Sequence, residues 1–373
     1  MGLVRVCIAG GGTGGHVFPA LATAAAVRAR DAGAALLFVG TAAGLEARLV
    51  PAAGYPFETI RVRGLAGKAM GERLAAVLAL PGAVNRSRRI LKQFAPDVVL
   101  GVGGYVAGPV LLAAALGGTP TVLHEQNAIP GLTNRLLCRV ATAVAVSLEA
   151  ARGHLPARRI TVTGNPVRAA LFGHARDRSR DAFGLAPDRT TLLVFGGSQG
   201  ARRLNEVMRG AAEGLADARA NLQILHATGE RDREAVAAAY AGAGIRAVVL
   251  PFIETMGAAY AAADLVICRA GATTVAELSA LGKPAILVPF PFAANDHQRH
   301  NAAALVEGGG AVLVLERDLT PAVLADRIRG LVQDPARLAV MARCAAAAGR
   351  PDAAERLADL LFAVAGGGRK QER

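Results

Sequence analysis

The chain has no tryptophan, and aromatic residues fill only 4% of its 373 positions. Single-stranded nucleic acids are gripped largely by stacking on aromatic rings, and no RNA- or DNA-binding motif occurs, so no nucleic-acid partner is expected. Lysine is confined to Lys68, Lys92, Lys283 and Lys370. The four cysteines, Cys7, Cys138, Cys268 and Cys344, lack the spacing of metal ligands and read as free, mostly buried thiols. Uncharged apolar runs such as 107–116 fall short of the roughly 20 residues a membrane span requires. The first residues read as a strand rather than a secretory signal.

Apolar and positive residues are abundant. Hydrophobic residues make up 53% of the chain and charged residues 19%. That composition suits sheets covered on both faces. The formal charge is +13, from 42 basic and 29 acidic residues, nearly all of the positive charge being arginine. Such a balance fits phosphorylated substrates or an anionic membrane surface.

Short apolar runs alternate with Ala/Leu/Arg-rich helical stretches. Strands are expected at 3–9, 35–40, 57–62, 97–102, 120–123, 143–146 and 159–163, then at 190–195, 222–226, 246–250, 264–268, 284–288 and 311–315. This alternation predicts parallel sheets with helices on both faces. The series is too long for one ordinary open sheet. A break falls near Gly164-Asn165-Pro166-Val167-Arg168, followed by a polar stretch at 174–188. The expected class is therefore α/β: two doubly wound, Rossmann-like domains in tandem, facing a cleft. Ligands of such sheets bind at the carboxyl ends of the strands.

The most informative segment is Gly-Gly-Gly-Thr-Gly-Gly-His at 10–16, between a strand and a helix. Glycines there let backbone N–H groups approach an anion, and the helix start adds positive potential. His16 places a titratable imidazole beside it. The spacing Gly10, Gly12, Gly15 matches G-x-G-x-x-G, but strand two ends Phe38-Val39-Gly40-Thr41 without the carboxylate that holds a dinucleotide ribose. NAD is therefore not expected, and without Gly-Lys-Ser/Thr neither is an ATP-type P-loop.

Two further glycine turns, 101–104 and 196–200, also end predicted strands. His124-Glu125-Gln126-Asn127 follows the strand at 120–123. Four consecutive polar side chains there read as site lining, since burial without partners is costly. The segment 269–277 joins a strand to a helix. It puts Thr273 and Thr274 near the helix start and Glu277 on the same face, suited to ribose hydroxyls. The alternative is a surface glutamate in a capping arrangement. Gln298, in the loop after 286–289, is a candidate for sugar hydroxyls or an ordinary surface residue. The stretch 61–94 mixes Arg63, Lys68, Arg73, Arg86, Arg88, Arg89 and Lys92 with leucines and valines. It reads either as a membrane-facing patch or as an amphipathic helix with a solvated basic face.

In combination, seven segments resemble the MurG family. They are 11–20, 40–46, 101–109, 124–127, 164–168, 196–201 and 269–277. The resemblance, which runs from about Val4 to Leu361, implies a GT-B glycosyltransferase. Such an enzyme moves N-acetylglucosamine from UDP-N-acetylglucosamine to the muramyl 4-hydroxyl of undecaprenyl-linked lipid I, with inversion. Residues 1–165 would then form the acceptor- and membrane-facing domain and 166–349 the UDP-sugar domain. A helix at 350–366 would return to the first domain, and 367–373 would be a disordered tail. His16 matches the position proposed to assist catalysis. Thr13, Gly14 and Gly15 would line the diphosphate-sugar region. Asn127, Arg168, Ser198, Ile253, Ala272, Thr273, Thr274, Val275, Ala276, Glu277 and Gln298 match donor-binding positions. Glu125 is the reserve candidate base. Metal-dependent sugar-nucleotide enzymes commonly use Asp-x-Asp, which is absent here, so no metal and no cofactor are expected. The resemblance also implies peripheral attachment to the anionic inner leaflet, at the cytoplasmic face. The residues alone leave open a UDP-N-acetylglucosamine epimerase or a non-catalytic sugar-nucleotide-binding module.

Overall fold

The structure is a computed structural model that describes residues 4–62, 79–157, 159–197 and 201–369. Ser198 and part of the basic stretch 61–94, with Arg63, Lys68 and Arg73, therefore lie outside the described residues, as do 370–373 of the expected tail. The chain forms two compact units. One comprises the described residues up to Arg168 together with those from Pro351, and the other is Ala169–Arg350. The boundary thus falls at 168/169, and Arg168 belongs to the first unit rather than to the second, where the sequence reading put it.

In the first unit the strands are β1 (Arg5–Ala9), β2 (Ala35–Gly40), β3 (Phe57–Thr59), β4 (Val98–Gly101), β5 (Thr121–Glu125), β6 (Ala143–Val146) and β7 (Ile160–Val162). They pair in the order β3-β2-β1-β4-β5-β6-β7, every pair parallel. The helices are α1 (Gly14–Arg30), α2 (Glu46–Ala52), α3 (Leu80–Phe94), α4 (Gly104–Leu116) and α5 (Leu132–Leu137). Strand β1 shows why the apolar runs become strands. Val6, Cys7, Ile8 and Ala9 have no solvent exposure, so both faces of the strand are covered. Burial without a charged partner pushes the Cys7 thiol up to about 12. The strand order reverses between β1 and β4, which makes the loops after them the sides of a switch point.

The second unit repeats the plan. Its strands are β8 (Thr190–Phe195), β9 (Leu222–Ala227), β10 (Arg246–Leu250), β11 (Leu265–Cys268), β12 (Ala285–Leu287) and β13 (Ala311–Leu313). They form a parallel sheet in the order β10-β9-β8-β11-β12-β13, reversing between β8 and β11. The helices are α6 (Arg176–Ala182), α7 (Arg202–Ala211), α8 (Arg233–Gly242), α9 (Met256–Ala262), α10 (Ala272–Ala280), α11 (His297–Glu307), α12 (Pro321–Val332) and α13 (Pro335–Ala348). Within the polar stretch 174–188, α6 is pinned by the buried Arg180. Its guanidinium donates to the Asp264 carboxylate at 2.6 Å and to the Ala262 and Pro187 carbonyls.

The last helix, α14 (Ala353–Arg369), belongs to the first unit and packs on α1. Leu357 and Leu361 have no exposure and join the core of Ile8, Val27, Leu100 and Val122. Arg30 of α1 pairs with Asp359. The helix continues through Arg369, past the point where the sequence reading began an irregular tail. Helix α3 buries Ala83, Ser87, Ile90 and Leu91 and leaves Arg86, Arg88, Arg89 and Lys92 exposed, with Arg86 on Glu58 at 2.9 Å. Over 80–94 the chain is thus an amphipathic helix with its basic residues on the exposed face. Among the described residues, no helix is long and apolar enough to cross a membrane.

Candidate functional site

In the first unit the loops after β1 and β4 meet at a contact only glycine permits. A Cβ on Gly10 would lie 2.2 Å from Val102 Cγ2, and one on Gly104 would lie 2.5 Å from the Gly11 carbonyl oxygen. Gly103 and Gly104 also have φ of +97° and +76°, the left-handed region that side chains disfavour. Helix α1 starts at this contact, with Thr13 as its N-cap and no side-chain cap bond. Thr13 is exposed, Gly14 buried and Gly15 half-buried. His16 follows in the first turn, with its ring against Gly103. The residue is partly exposed, but Nδ1 is shut off from solvent and has no hydrogen-bond partner. Burial lowers the imidazole pKa below its usual 6.5, while the Gly11 carbonyl and the Glu46 carboxylate partly oppose that shift. The His16 imidazole is thus neutral at pH 7.

The anion at the first glycine turn is the chain's own. Glu46, at the start of α2, is 1% exposed. Its carboxylate accepts from Gly12 N–H, Thr41 N–H and the Thr41 hydroxyl, each at 2.8 Å. Burial alone would raise its pKa, but these bonds and one from its own N–H more than reverse that. The Gly12 N–H is therefore committed to Glu46 rather than to a substrate phosphate. Sequence reasoning gave Glu46 no role; its place in the 40–46 segment was the only signal.

Strand β5 runs two residues further than expected, so His124 and Glu125 are its buried end. His124 Nδ1 accepts from the Gln126 amide at 3.2 Å, and Nε2 lies 3.1 Å from the Gly164 carbonyl. Burial lowers the pKa of His124 to about 4. Gln126 also donates to the Val102 carbonyl at 2.6 Å, so β5 braces the loop that carries Gly103. Glu125 is 1% exposed. One oxygen accepts from the backbone N–H and side-chain amide of Asn127, the other from Asn134 Nδ2 at 2.7 Å. Both oxygens of Glu125 thus hold hydrogen bonds to Asn127 or Asn134 and are screened from solvent, and burial raises the carboxyl's pKa. Asn127 itself is half-buried. Arg168 lies with its guanidinium 4.0 Å from the ring of Phe18, two residues beyond His16 on α1.

In the second unit, β11 feeds α10 at the switch point. Gly271 is the N-cap, without a side-chain cap bond, and Ala272, Thr273 and Thr274 form the half-buried first turn. The helix dipole there favours an anion. Val275 and Glu277 are buried and Ala276 is half-buried. Glu277 is 7% exposed and its Oε2 accepts from the Tyr260 hydroxyl at 2.9 Å. A position two turns into the helix excludes the capping alternative. Arg269 is fixed by Glu316 at 2.5 Å and by the Val288 and Pro289 carbonyls. Gln298 lies in the first turn of α11, not in a loop, and its Oε1 accepts from Phe290 N–H at 2.9 Å. Ile253 is buried just after β10, beside the exposed Phe252. Gly197, at the glycine turn after β8, has φ of +85°.

Two parallel-sheet units, each with a glycine turn and a helix start at its switch point, have the GT-B architecture, and the family matches make it that of a glycosyltransferase. The glycosyltransferase family 28 N-terminal domain matches residues 6–146, and the glycosyltransferase family 28 C-terminal domain matches 191–357. The UDP-N-acetylglucosamine--N-acetylmuramyl-(pentapeptide) pyrophosphoryl-undecaprenol N-acetylglucosamine transferase of Anaeromyxobacter sp. (strain K) is 51% identical over 359 residues. That match covers 96% of this chain and 92% of the relative. The crystal structure of Acinetobacter baumannii MurG superimposes with a TM-score of 0.77 at 35% identity, covering 96% of this chain and 99% of that one. The chain belongs to glycosyltransferase family 28 and, within it, to the MurG family. A UDP-N-acetylglucosamine 2-epimerase has a TM-score of 0.71 at only 17% identity, over 97% of this chain and 96% of its own, and shares the fold alone.

Proposed function

We propose that this enzyme transfers N-acetylglucosamine from UDP-N-acetylglucosamine to the muramyl 4-hydroxyl of undecaprenyl-linked lipid I, forming lipid II and UDP. The observation that carries this reading is the near-full-length kinship to transferases named for that reaction, joined to a neutral imidazole at the first switch point. The acceptor oxygen attacks the anomeric carbon as the bond to the β-phosphate oxygen breaks, and the electron pair leaves with UDP. The hydroxyl proton passes to His16, whose lowered pKa keeps it available as a base. Inversion follows from a single displacement.

The second unit holds the nucleotide. Glu277 accepts from the ribose hydroxyls, and the α10 start faces the diphosphate through Thr273 and Thr274. Ile253, Ala272, Val275, Ala276 and Gln298 complete the donor site, as does Ser198. In the first unit, Thr13, Gly14, Gly15 and Asn127 meet the diphosphate-sugar, and Arg168 offsets phosphate charge. The enzyme works as a peripheral protein on the cytoplasmic face of the plasma membrane. Support comes from the exposed Arg86, Arg88, Arg89 and Lys92 on α3, which suit an anionic leaflet.

The test is UDP release from UDP-N-acetylglucosamine with and without a lipid I analogue, in EDTA. Release that needs the acceptor and persists in EDTA is expected. Sugar epimerisation without acceptor, or tight binding with no turnover, would overturn the reading.

A further inference from the structure

Glu46 is a buried carboxylate in a cage of glycines. A Cβ on Gly11, Gly40 or Gly44 would lie 2.1 to 2.4 Å from its side chain. Three hydrogen bonds hold it, and one of them, from Gly12 N–H, ties it to the turn that starts α1. Gly12 has φ of +93°, one of the several conformations open to a glycine, and its N–H bond to Glu46 holds the turn in that one. His16 sits four residues on, and no side chain caps α1 to fix its first turn.

We propose that Glu46 is a positioning residue of the transfer reaction: its carboxylate, bound to Gly12 N–H, fixes the first glycine turn and thereby aims His16 at the acceptor hydroxyl. The inference rests on His16 acting as the base. Its logic is chemical. The turn presents donors, and an ionised side chain of the chain itself takes the one from Gly12. Glu46 also contributes a fixed negative charge near the imidazole. Among the described residues His124 on β5 also acts on His16 and is neutral at working pH, while Arg168 lies over Phe18, two residues along α1. Glu46 is thus the nearby charge that favours the imidazolium formed as the proton arrives.

Glu46→Gln keeps the volume but turns an NH₂ toward a backbone N–H that needs an acceptor. In the lipid I transfer assay, this variant should lose at least about tenfold in kcat with KM for UDP-N-acetylglucosamine within about twofold. The acid limb of kcat/KM should move to lower pH, because His16 loses the charge that favours its protonation. A merely structural role would lower thermal stability without moving that limb. Wild-type kcat, or a reduced kcat with the acid limb unmoved, overturns the proposal. If Glu46→Gln does not fold, Thr41→Val removes one of the three bonds to the carboxylate. A roughly two- to fivefold lower kcat at unchanged KM then supports the proposal, and wild-type kcat overturns it. Wild-type enzyme in the same assay separates the two readings. No transfer by wild type defeats the function proposed above, whereas normal transfer by both wild type and Glu46→Gln defeats only the role of Glu46.

Discussion

Gly103 and His16 touch across the switch point of the first sheet: the Cβ that Gly103 lacks would stand 2.8 Å from His16 Cδ2 and 2.9 Å from Nε2. The glycine also has φ of +97°. Gly103→Ala therefore adds a methyl where the imidazole lies and forces a left-handed alanine, at a cost of about 1–3 kcal/mol. The ring must move. We expect transfer to fall by more than about tenfold while UDP binding to the second unit is unchanged, measured by steady-state kinetics and calorimetry. Full activity would show that the ring position is not critical.

Removing the imidazole itself gives a sharper outcome. His16→Ala should lower kcat by roughly 10²- to 10⁴-fold, the usual contribution of a positioned general base. UDP affinity should hold, since the donor site proposed for Glu277 and α10 belongs to the second unit. In wild type, kcat/KM should fall only below pH 6.5, because burial holds the free-enzyme imidazole pKa under that value. A limb above pH 6.5 would point to another base.

Much of this arrangement was legible in the chain. The apolar runs ending in glycine became β1, β4 and β8 because both faces of each strand are buried. His124 and Glu125, expected just past their strand, are its last two residues, because polar side chains interrupt the apolar pattern before the pairing ends. Their partners, Gly164 and Asn134, come from 40 and 9 residues away, and only the fold brings them into contact. Glu46 was missed for the same reason: its value lies in Gly12, 34 residues earlier. Strand β2 ends without the acid of a dinucleotide site, yet the fold brings Glu46 to Thr41 there from α2. Arg168 was assigned across the domain boundary because sequence cannot show that it stacks on Phe18.

Glu277→Gln keeps an acceptor for Tyr260 but removes the charge. Charge-assisted hydrogen bonds to the ribose would weaken by about 1.4 kcal/mol, so KM for UDP-N-acetylglucosamine should rise roughly tenfold with a smaller effect on kcat. An unchanged KM would remove Glu277 from the donor site.

Two buried histidines make stability depend on pH. The folded-state pKa values of His124 and His226 are lowered to about 4 and about 3, mainly by burial. His226 is wedged between Tyr240 OH at 2.9 Å and Asn205 Oδ1 at 3.1 Å. Unfolded, each titrates near 6.5. As pH falls below that value the unfolded chain binds protons the folded chain refuses, so stability drops. It drops by about 1.4 kcal/mol per pH unit for each histidine until the folded pKa is reached. Urea midpoints should decline from pH 6.5 to 4. His226→Gln should flatten the part of that slope due to its own unit, and an unaltered slope would show that His226 is not buried neutral.

The C-terminal helix is part of the first unit, and this can be tested without any substrate. Leu361 is fully buried against the core of the first sheet. Leu361→Ala leaves a cavity there and should cost about 2–5 kcal/mol. The loss should appear in the unfolding of the first unit alone, because α14 belongs to that unit and α13 to the other. Differential scanning calorimetry with and without UDP separates the two, since the proposed nucleotide contacts at Glu277 and α10 make the second unit's transition the one UDP raises most. If the Leu361→Ala transition that moves is the one UDP raises most, then α14 supports the nucleotide-binding unit instead, and the assignment of this helix to the first sheet is wrong.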